Sequence, residues 1–147
     1  MRCEGILPVA ILFGYGKKMK NRGLIGDYIS RVGHRLKSIE LLLNLKSYAD
    51  VVRQSQEAIE LSLKALLRFA KVEIPRIHDV SDVLKQSRSM LPKEIQSQVD
   101  QLAKISKSLR RDRELSFYGS EDLTPGEFYE LADAEVALEN ARWVYDI

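Results

Sequence analysis

Apolar residues recur at helical spacing along most of this chain. The first such series follows Gly26 and Asp27 and consists of Ile29, Val32, Leu36, Ile39 and Leu43. Intervals of three and four residues place these side chains on one face of a helix. Asp27 is the expected N-cap of this first helix, because a short acidic side chain can accept a hydrogen bond from the exposed backbone N–H groups.

A second helix is predicted after Ser47, which is also suited to an N-cap. The expected inner face consists of Val51, Ser55, Ala58, Ser62, Ala65 and Phe69, with Val52, Ile59 and Leu66 beside it. The small side chains in this series would let another helix approach closely, within the subunit or across a dimer. The helix should end between Lys71 and Pro75, because proline cannot continue a helix.

Three more helices are predicted in the rest of the chain. A short one begins near Asp79, and a fourth begins with Pro92 as its first residue and carries Ile95, Val99, Leu102, Ile105 and Leu109. Thr124, Pro125 and Glu127 form a helix-start pattern with a capping box. The last helix would carry Leu131, Ala134, Leu138, Ala141 and Tyr145. The predicted fold is all-α, an up-and-down bundle of four long helices plus one short helix.

The first 24 residues are interpreted as an N-terminal extension before one domain at residues 25–147, a length that suits a single core. Met19 is a candidate for the true start, and Pro8 to Gly16 could otherwise form a lone strand. The apolar run Ile6–Phe13 is too short to span a bilayer and lacks a cleavage site, so we expect a cytoplasmic protein with no membrane contact. One cysteine and two histidines predict no metal site, and no cofactor is expected.

Charge is distributed unevenly, although the net charge is only +2. Residues 1–113 hold 22 basic and 12 acidic side chains, whereas residues 114–147 hold one basic and nine acidic side chains. The simpler interpretation is that an acidic last helix pairs with basic helices. The alternative is a basic cleft that an acidic strip partly screens.

The second and third predicted helices resemble the front half of a HEPN domain (higher eukaryotes and prokaryotes nucleotide-binding). The matching residues are Gln54 or Gln56, Glu57, Lys64, Ala65, Leu66, Pro75, His78 and Asp79. The resemblance continues through the Arg-rich end of the fourth helix, Tyr118-Gly119 and the Ala-rich last helix, which are similar to archaeal members. It covers approximately residues 25–147.

This resemblance implies a helical bundle that forms a homodimer with a cleft at its interface. Many members of the family are metal-independent ribonucleases with an arginine followed, after four to six residues, by a histidine. Others pair with a minimal nucleotidyltransferase in a toxin–antitoxin-like system. Some of those carry Arg-x4-His-x-Tyr, in which the tyrosine receives nucleotide from the partner.

The present chain departs from that motif at its histidine. Arg111 is followed after four residues by Ser116, then Phe117 and Tyr118; in a second register Arg113 precedes Tyr118 by the same spacing. Cleavage through the RNA 2′-OH needs a group that exchanges protons near neutral pH, which histidine does. Serine does not, and tyrosine has an ordinary pKa of about 10. The sequence therefore favours a non-catalytic member that binds nucleotide or RNA phosphate.

The candidate binding residues are Lys104, Lys107, Arg110, Arg111 and Arg113. The alternative is a weak ribonuclease at a dimer cleft, for which Arg111, Arg113 and Tyr118 are the candidate catalytic residues. Tyr118 is also a candidate modification site. Two simpler interpretations stay open: the cations only stabilise a helix C-terminus, or the chain is a structural dimerising bundle.

Overall fold

The computed structural model describes the backbone of residues 22–118 and 124–147 and the side chains of residues 23–109 and 124–147. All regular structure in these ranges is helical, as predicted. The helices are α1 (Arg22–Asn44), α2 (Tyr48–Phe69), α3 (Ser81–Gln86), α4 (Lys93–Gln96), α5 (Val99–Tyr118), α6 (Pro125–Phe128) and α7 (Leu131–Asp146), with a 3₁₀ turn at Arg88–Met90. Four of them are long: α1, α2, α5 and α7. Their up-and-down order stays a prediction, and the sequence proposals for Met19 and Pro8 to Gly16 lie outside the described residues.

Helix α1 begins earlier than the sequence suggested. It starts at Arg22, so the proposed cap Asp27 lies inside the helix, where it pairs with Arg31 one turn later at 3.7 Å. The reason is that Ile25 is itself buried and extends the apolar face towards the N-terminus. Further along, Val32 and Ile39 are fully buried, which confirms the predicted inner face.

Both α1 and α2 end in the same backbone arrangement. In α1, the N–H of Ser47 donates to the carbonyl of Leu42 and the N–H of Lys46 to that of Leu43; the C-terminus of α2 repeats this pattern around Lys71. Such double hydrogen bonding satisfies carbonyls that the helix leaves without partners, and it requires a left-handed residue, usually glycine. Here lysine occupies the position in both turns, with φ of 59° at Lys46 and at Lys71.

The predicted fourth helix is divided in two, which corrects its expected start at Pro92. Pro92 precedes the single-turn helix α4 in an extended conformation, and α5 begins only at Val99. The last helix is divided similarly: Thr124 and Glu127 form the predicted capping box, but it opens only α6. Tyr129 is extended and buried after α6, and a second capping box of Glu130 and Asp133 opens α7.

Helix α2 lies at the centre of the core, where it packs against α1, α5 and α7. The predicted α2 face is buried from Val51 to Ala65, including the small residues Ser55, Ala58 and Ser62. Gly33 lets α1 approach α7 closely, because a Cβ at this position would come within 3.2 Å of the Tyr145 hydroxyl. Since α5 and α7 pack on the same helix, α2 forms the floor between them.

Candidate functional site

The predicted binding residues all belong to α5. Lys104 and Lys107 are exposed in its first half. Arg110, Arg111, Arg113 and Tyr118 lie in its second half, where the backbone is helical and the side chains are outside the described residues. The predicted cations therefore share one helix.

An open groove of about 670 Å³ runs over α2, between α5 on one side and α6 and α7 on the other. Its apolar lining includes Val52 and Ile59 from the α2 floor, Ile105 from α5 and Val136 from α7. We name this feature the α2 groove. Lys104 lines it, whereas Lys107 is not among its lining residues. The two lysines are one helical turn apart, but only Lys104 belongs to the groove.

Polar side chains from three helices reach the α2 groove. Gln101, Lys104 and Ser108 line the α5 wall, Asp133 and Asn140 line the α7 wall, and Gln56 is a buried residue of the floor. Lys104 and Asp133 give the two walls opposite charge. The groove therefore combines an apolar floor with hydrogen-bonding amides and one cation on the wall that leads towards the arginines of α5.

Two consecutive aromatic residues close the α6 end of the groove. The rings of Phe128 and Tyr129 pack edge to face, with centroids 4.9 Å apart and planes at 77°. Tyr129 is buried, whereas Phe128 is 41% exposed. Such an edge-to-face contact favours one orientation of the exposed Phe128 ring.

Ser55, on the groove floor, is fully buried. Within the part of the chain that the structure describes, its hydroxyl has no hydrogen-bond partner. Buried polar groups without partners are rare in folded proteins, because their desolvation is not compensated.

His78 lies in the connection between α2 and α3, where it contacts Glu60 of α2. Its Nδ1 lies 2.9 Å from a carboxylate oxygen of Glu60, and the same carboxylate accepts a 2.7 Å hydrogen bond from Lys64. Burial alone would raise the pKa of Glu60, but the hydrogen bonds from Lys64 and His78 outweigh it and hold that pKa below its ordinary value. The other histidine, His34, is exposed on α1.

Asp79 connects the start of α3 to α5. Its carboxylate accepts a 2.9 Å hydrogen bond from the N–H of Ser81 and a 3.3 Å bond from the hydroxyl of Ser106, whose oxygen accepts the N–H of Val80 at 2.9 Å. Burial would raise the pKa of Asp79, but these bonds and nearby Lys107 lower it overall. The charge of Lys107 thus acts on a structural carboxylate.

The sequence alone did not identify Gln101, Phe128 and Asn140 as site residues, and it indicated Gln56 only as a position matching the family pattern. Only the α5 wall of the groove could have been recognised from the sequence, because Gln101, Lys104 and Ser108 recur at helical spacing. Their approach to Asn140 and Phe128 depends on how α6 and α7 fold back, which no local pattern contains.

Metal-binding clusters and membrane-spanning helices are both absent from the described residues. The described residues contain no group of three or more histidine, cysteine, aspartate or glutamate side chains that could hold a metal ion. Among the helices of the described part, none is long and apolar enough to cross a membrane.

Comparison with known proteins identifies one family. The family model described as HEPN domain matches residues 25–147, which includes all of the described chain except its first three residues. No curated protein and no solved structure matches the chain. Because the family match covers most of the sequence, the chain belongs to the HEPN domain family.

Proposed function

We propose that this HEPN domain binds nucleotide or RNA phosphate through the cations of α5 and does not cleave RNA. The observation that carries the proposal is the family match together with the residue at the motif position, where Ser116 follows Arg111 in place of histidine. Arg111 would contact phosphate, with Arg110, Arg113, Lys104 and Lys107 adding positive charge along the helix. Phosphate contacts from lysine and arginine supply most of the sequence-independent affinity for nucleic acids.

Loss of catalysis follows from the chemistry of the remaining side chains. The chain has only two histidines, and both precede α5 in sequence. His34 is exposed on α1, and His78 is hydrogen-bonded to Glu60 between α2 and α3. Removal of a general acid–base residue typically costs a factor of about 10² to 10⁴ in rate. We therefore assign α5 a binding role.

One labelled single-stranded RNA, incubated with the protein in the presence of EDTA, distinguishes RNA binding from RNA cleavage. We expect intact RNA after prolonged incubation and salt-dependent binding that Arg111→Ala weakens. Each lost phosphate contact should reduce the slope of log affinity against log salt by about 0.7. Arg76→Ala is the matched control, since Arg76 is exposed in the connection between α2 and α3 and away from α5 in sequence.

RNA cleavage by the wild type that is lost in Arg111→Ala and retained in Arg76→Ala would replace this proposal with the ribonuclease alternative. In that case Arg111, Arg113 and Tyr118 at a dimer cleft would be its catalytic residues. If Arg111→Ala and Arg76→Ala bind RNA equally well, Arg111 has no binding role.

We further propose that the domain acts as a homodimer and as the partner of a minimal nucleotidyltransferase, in a toxin–antitoxin-like pair. Tyr118 is the proposed acceptor, since it occupies the tyrosine position of the Arg-x4-His-x-Tyr pattern counted from Arg111, with Ser116 in place of the histidine. Co-expression with a nucleotidyltransferase encoded beside it, followed by intact mass measurement, tests this. Added nucleotide mass that disappears in Tyr118→Phe supports the proposal, whereas an unmodified wild-type chain in a stable complex excludes the acceptor role.

A further inference from the structure

Three amide side chains from three different helices line the α2 groove. Gln56 comes from α2, Gln101 from α5 and Asn140 from α7. An amide carries both a donor and an acceptor, and it can match the edge of a nucleobase, which also displays donors and acceptors side by side. A groove that only packed against apolar side chains would not require polar groups of both kinds on floor and walls.

The aromatic residue at the end of the groove adds a stacking surface. Phe128 is 41% exposed, and its ring packs edge to face against Tyr129. Bases stack on exposed aromatic side chains of proteins that bind single strands, whatever the base, because each base has a π-face. The apolar floor formed by Val52 and Ile59 suits the same flat ligand.

Size and charge indicate how such a ligand would be oriented. The volume of about 670 Å³ lies within the usual range for small-molecule sites. Lys104, Ser108 and Arg111 follow one another at helical spacing on α5, and the helix rises by about 10 Å from Lys104 to Arg111. Asp133 on the opposite wall disfavours phosphate there and can accept a hydrogen bond from an amino or hydroxyl group.

We propose that the α2 groove binds a nucleobase of single-stranded RNA, stacked near Phe128 and read by Gln101 and Asn140, while the phosphates follow α5 from Lys104 towards Arg111. This inference rests on the proposed function and adds to it a base-binding site. The affinity for RNA then has two contributions: the cations of α5 bind the RNA phosphates, and the groove binds a base.

The test compares two labelled probes of equal length, a single-stranded RNA and an abasic oligonucleotide that keeps the phosphates but has no bases. Wild-type protein should bind the RNA more tightly. Phe128→Ala should weaken RNA binding about tenfold and Gln101→Ala about fivefold, while both bind the abasic probe as the wild type does. Arg111→Ala should weaken binding of both probes.

Two matched controls lie outside the groove lining. Leu131→Ala removes an exposed apolar side chain three residues from Phe128, and Gln86→Ala removes an exposed glutamine at the end of α3. Both controls should leave the affinity for each probe unchanged. Circular dichroism of all variants shows whether they retain the helical fold.

The outcomes distinguish this inference from the proposed function. If both probes bind equally to the wild type, or if Phe128→Ala binds RNA normally, the base site is refuted while Arg111-dependent phosphate binding still stands. If neither probe binds, both proposals fail. Sedimentation of Phe128→Ala tests whether the groove is instead filled by a second copy of the chain. If the variant no longer forms a dimer but binds RNA normally, the groove is a contact between two copies and the base site is refuted.

Discussion

Two serines in the core make a sharp test of what stabilises this fold. Ser55 on α2 and Ser106 on α5 are both 0% exposed, so the same Ser→Ala substitution removes an equally buried hydroxyl at each. Their partners differ. Ser106 accepts the backbone N–H of Val80 at 2.9 Å and donates to Asp79 at 3.3 Å. The Ser55 hydroxyl has no partner among the residues that the structure describes.

The expected free energies of unfolding follow from that difference. Ser106→Ala leaves the buried N–H of Val80 without its acceptor, which should destabilise the protein by about 1–3 kcal/mol. Ser55→Ala removes a group whose burial is uncompensated, and the void it leaves is smaller than a methyl group. We therefore expect Ser55→Ala to leave stability unchanged or to raise it by up to about 1 kcal/mol.

Urea denaturation followed by far-UV circular dichroism at neutral pH measures both effects, with the slope m checked for constancy. Ser108→Ala is the control on α5: Ser108 is exposed, and its hydroxyl donates to the carbonyl of Ile105 within the same helix at 2.7 Å. Its substitution should change stability by less than about 0.5 kcal/mol. Equal losses for Ser55→Ala and Ser106→Ala would refute the reasoning, because burial rather than partnership would then govern the cost.

Three further predictions concern charge and backbone. The pKa of Asp79 is lowered in the folded state, so its carboxylate stabilises the fold at pH values above the ordinary pKa of an aspartate, and this stabilisation is lost as the pH falls through the folded pKa. The urea midpoint should therefore fall more steeply with acid in the wild type than in Asp79→Asn, and parallel profiles would contradict this. Arg35→Ala should cost about 1 kcal/mol, because Arg35 forms a half-buried ion pair between α1 and α2, whereas Arg142→Ala, in an exposed pair, should cost less than about 0.5 kcal/mol. Lys46→Gly and Lys71→Gly should each raise the unfolding free energy by about 0.5–1 kcal/mol, because both lysines have a left-handed φ that glycine adopts without strain. A loss of stability would show that the greater freedom of glycine in the unfolded chain outweighs the relieved strain.

Local spacing by itself determined the helical class and much of the core. The faces of α1 and α2 were predicted correctly, because which residues share a helix face depends only on a period of 3.6 residues. The capping box at Thr124 was predicted for the same reason, since its hydrogen bonds join residues three positions apart. The motif position at Ser116 is likewise a property of the sequence alone.

The spacing of apolar residues did not predict where a helix is interrupted. Ile95 and Val99 are four residues apart and both buried, so they continue one apolar stripe across the break at Ser97 and Gln98. The stripe therefore could not show that α4 ends and α5 begins. Tyr129 interrupts the predicted last helix in the same way, by adopting an extended conformation that keeps its ring in the core.

Tertiary packing alone decided where side chains on one helix act. Lys104 and Lys107 are three residues apart, yet Lys104 lines the α2 groove, whereas Lys107 is absent from its lining and its charge lowers the pKa of Asp79. Ser55 and Ser106 are both small residues on an inner face, and only the position of α3 gives one of them a partner. Sequence spacing defines the face of a helix, but what lies opposite that face is set by contacts between residues far apart in the chain. The α2 groove follows from such contacts, because α5 and α7 meet over α2 only in the folded molecule.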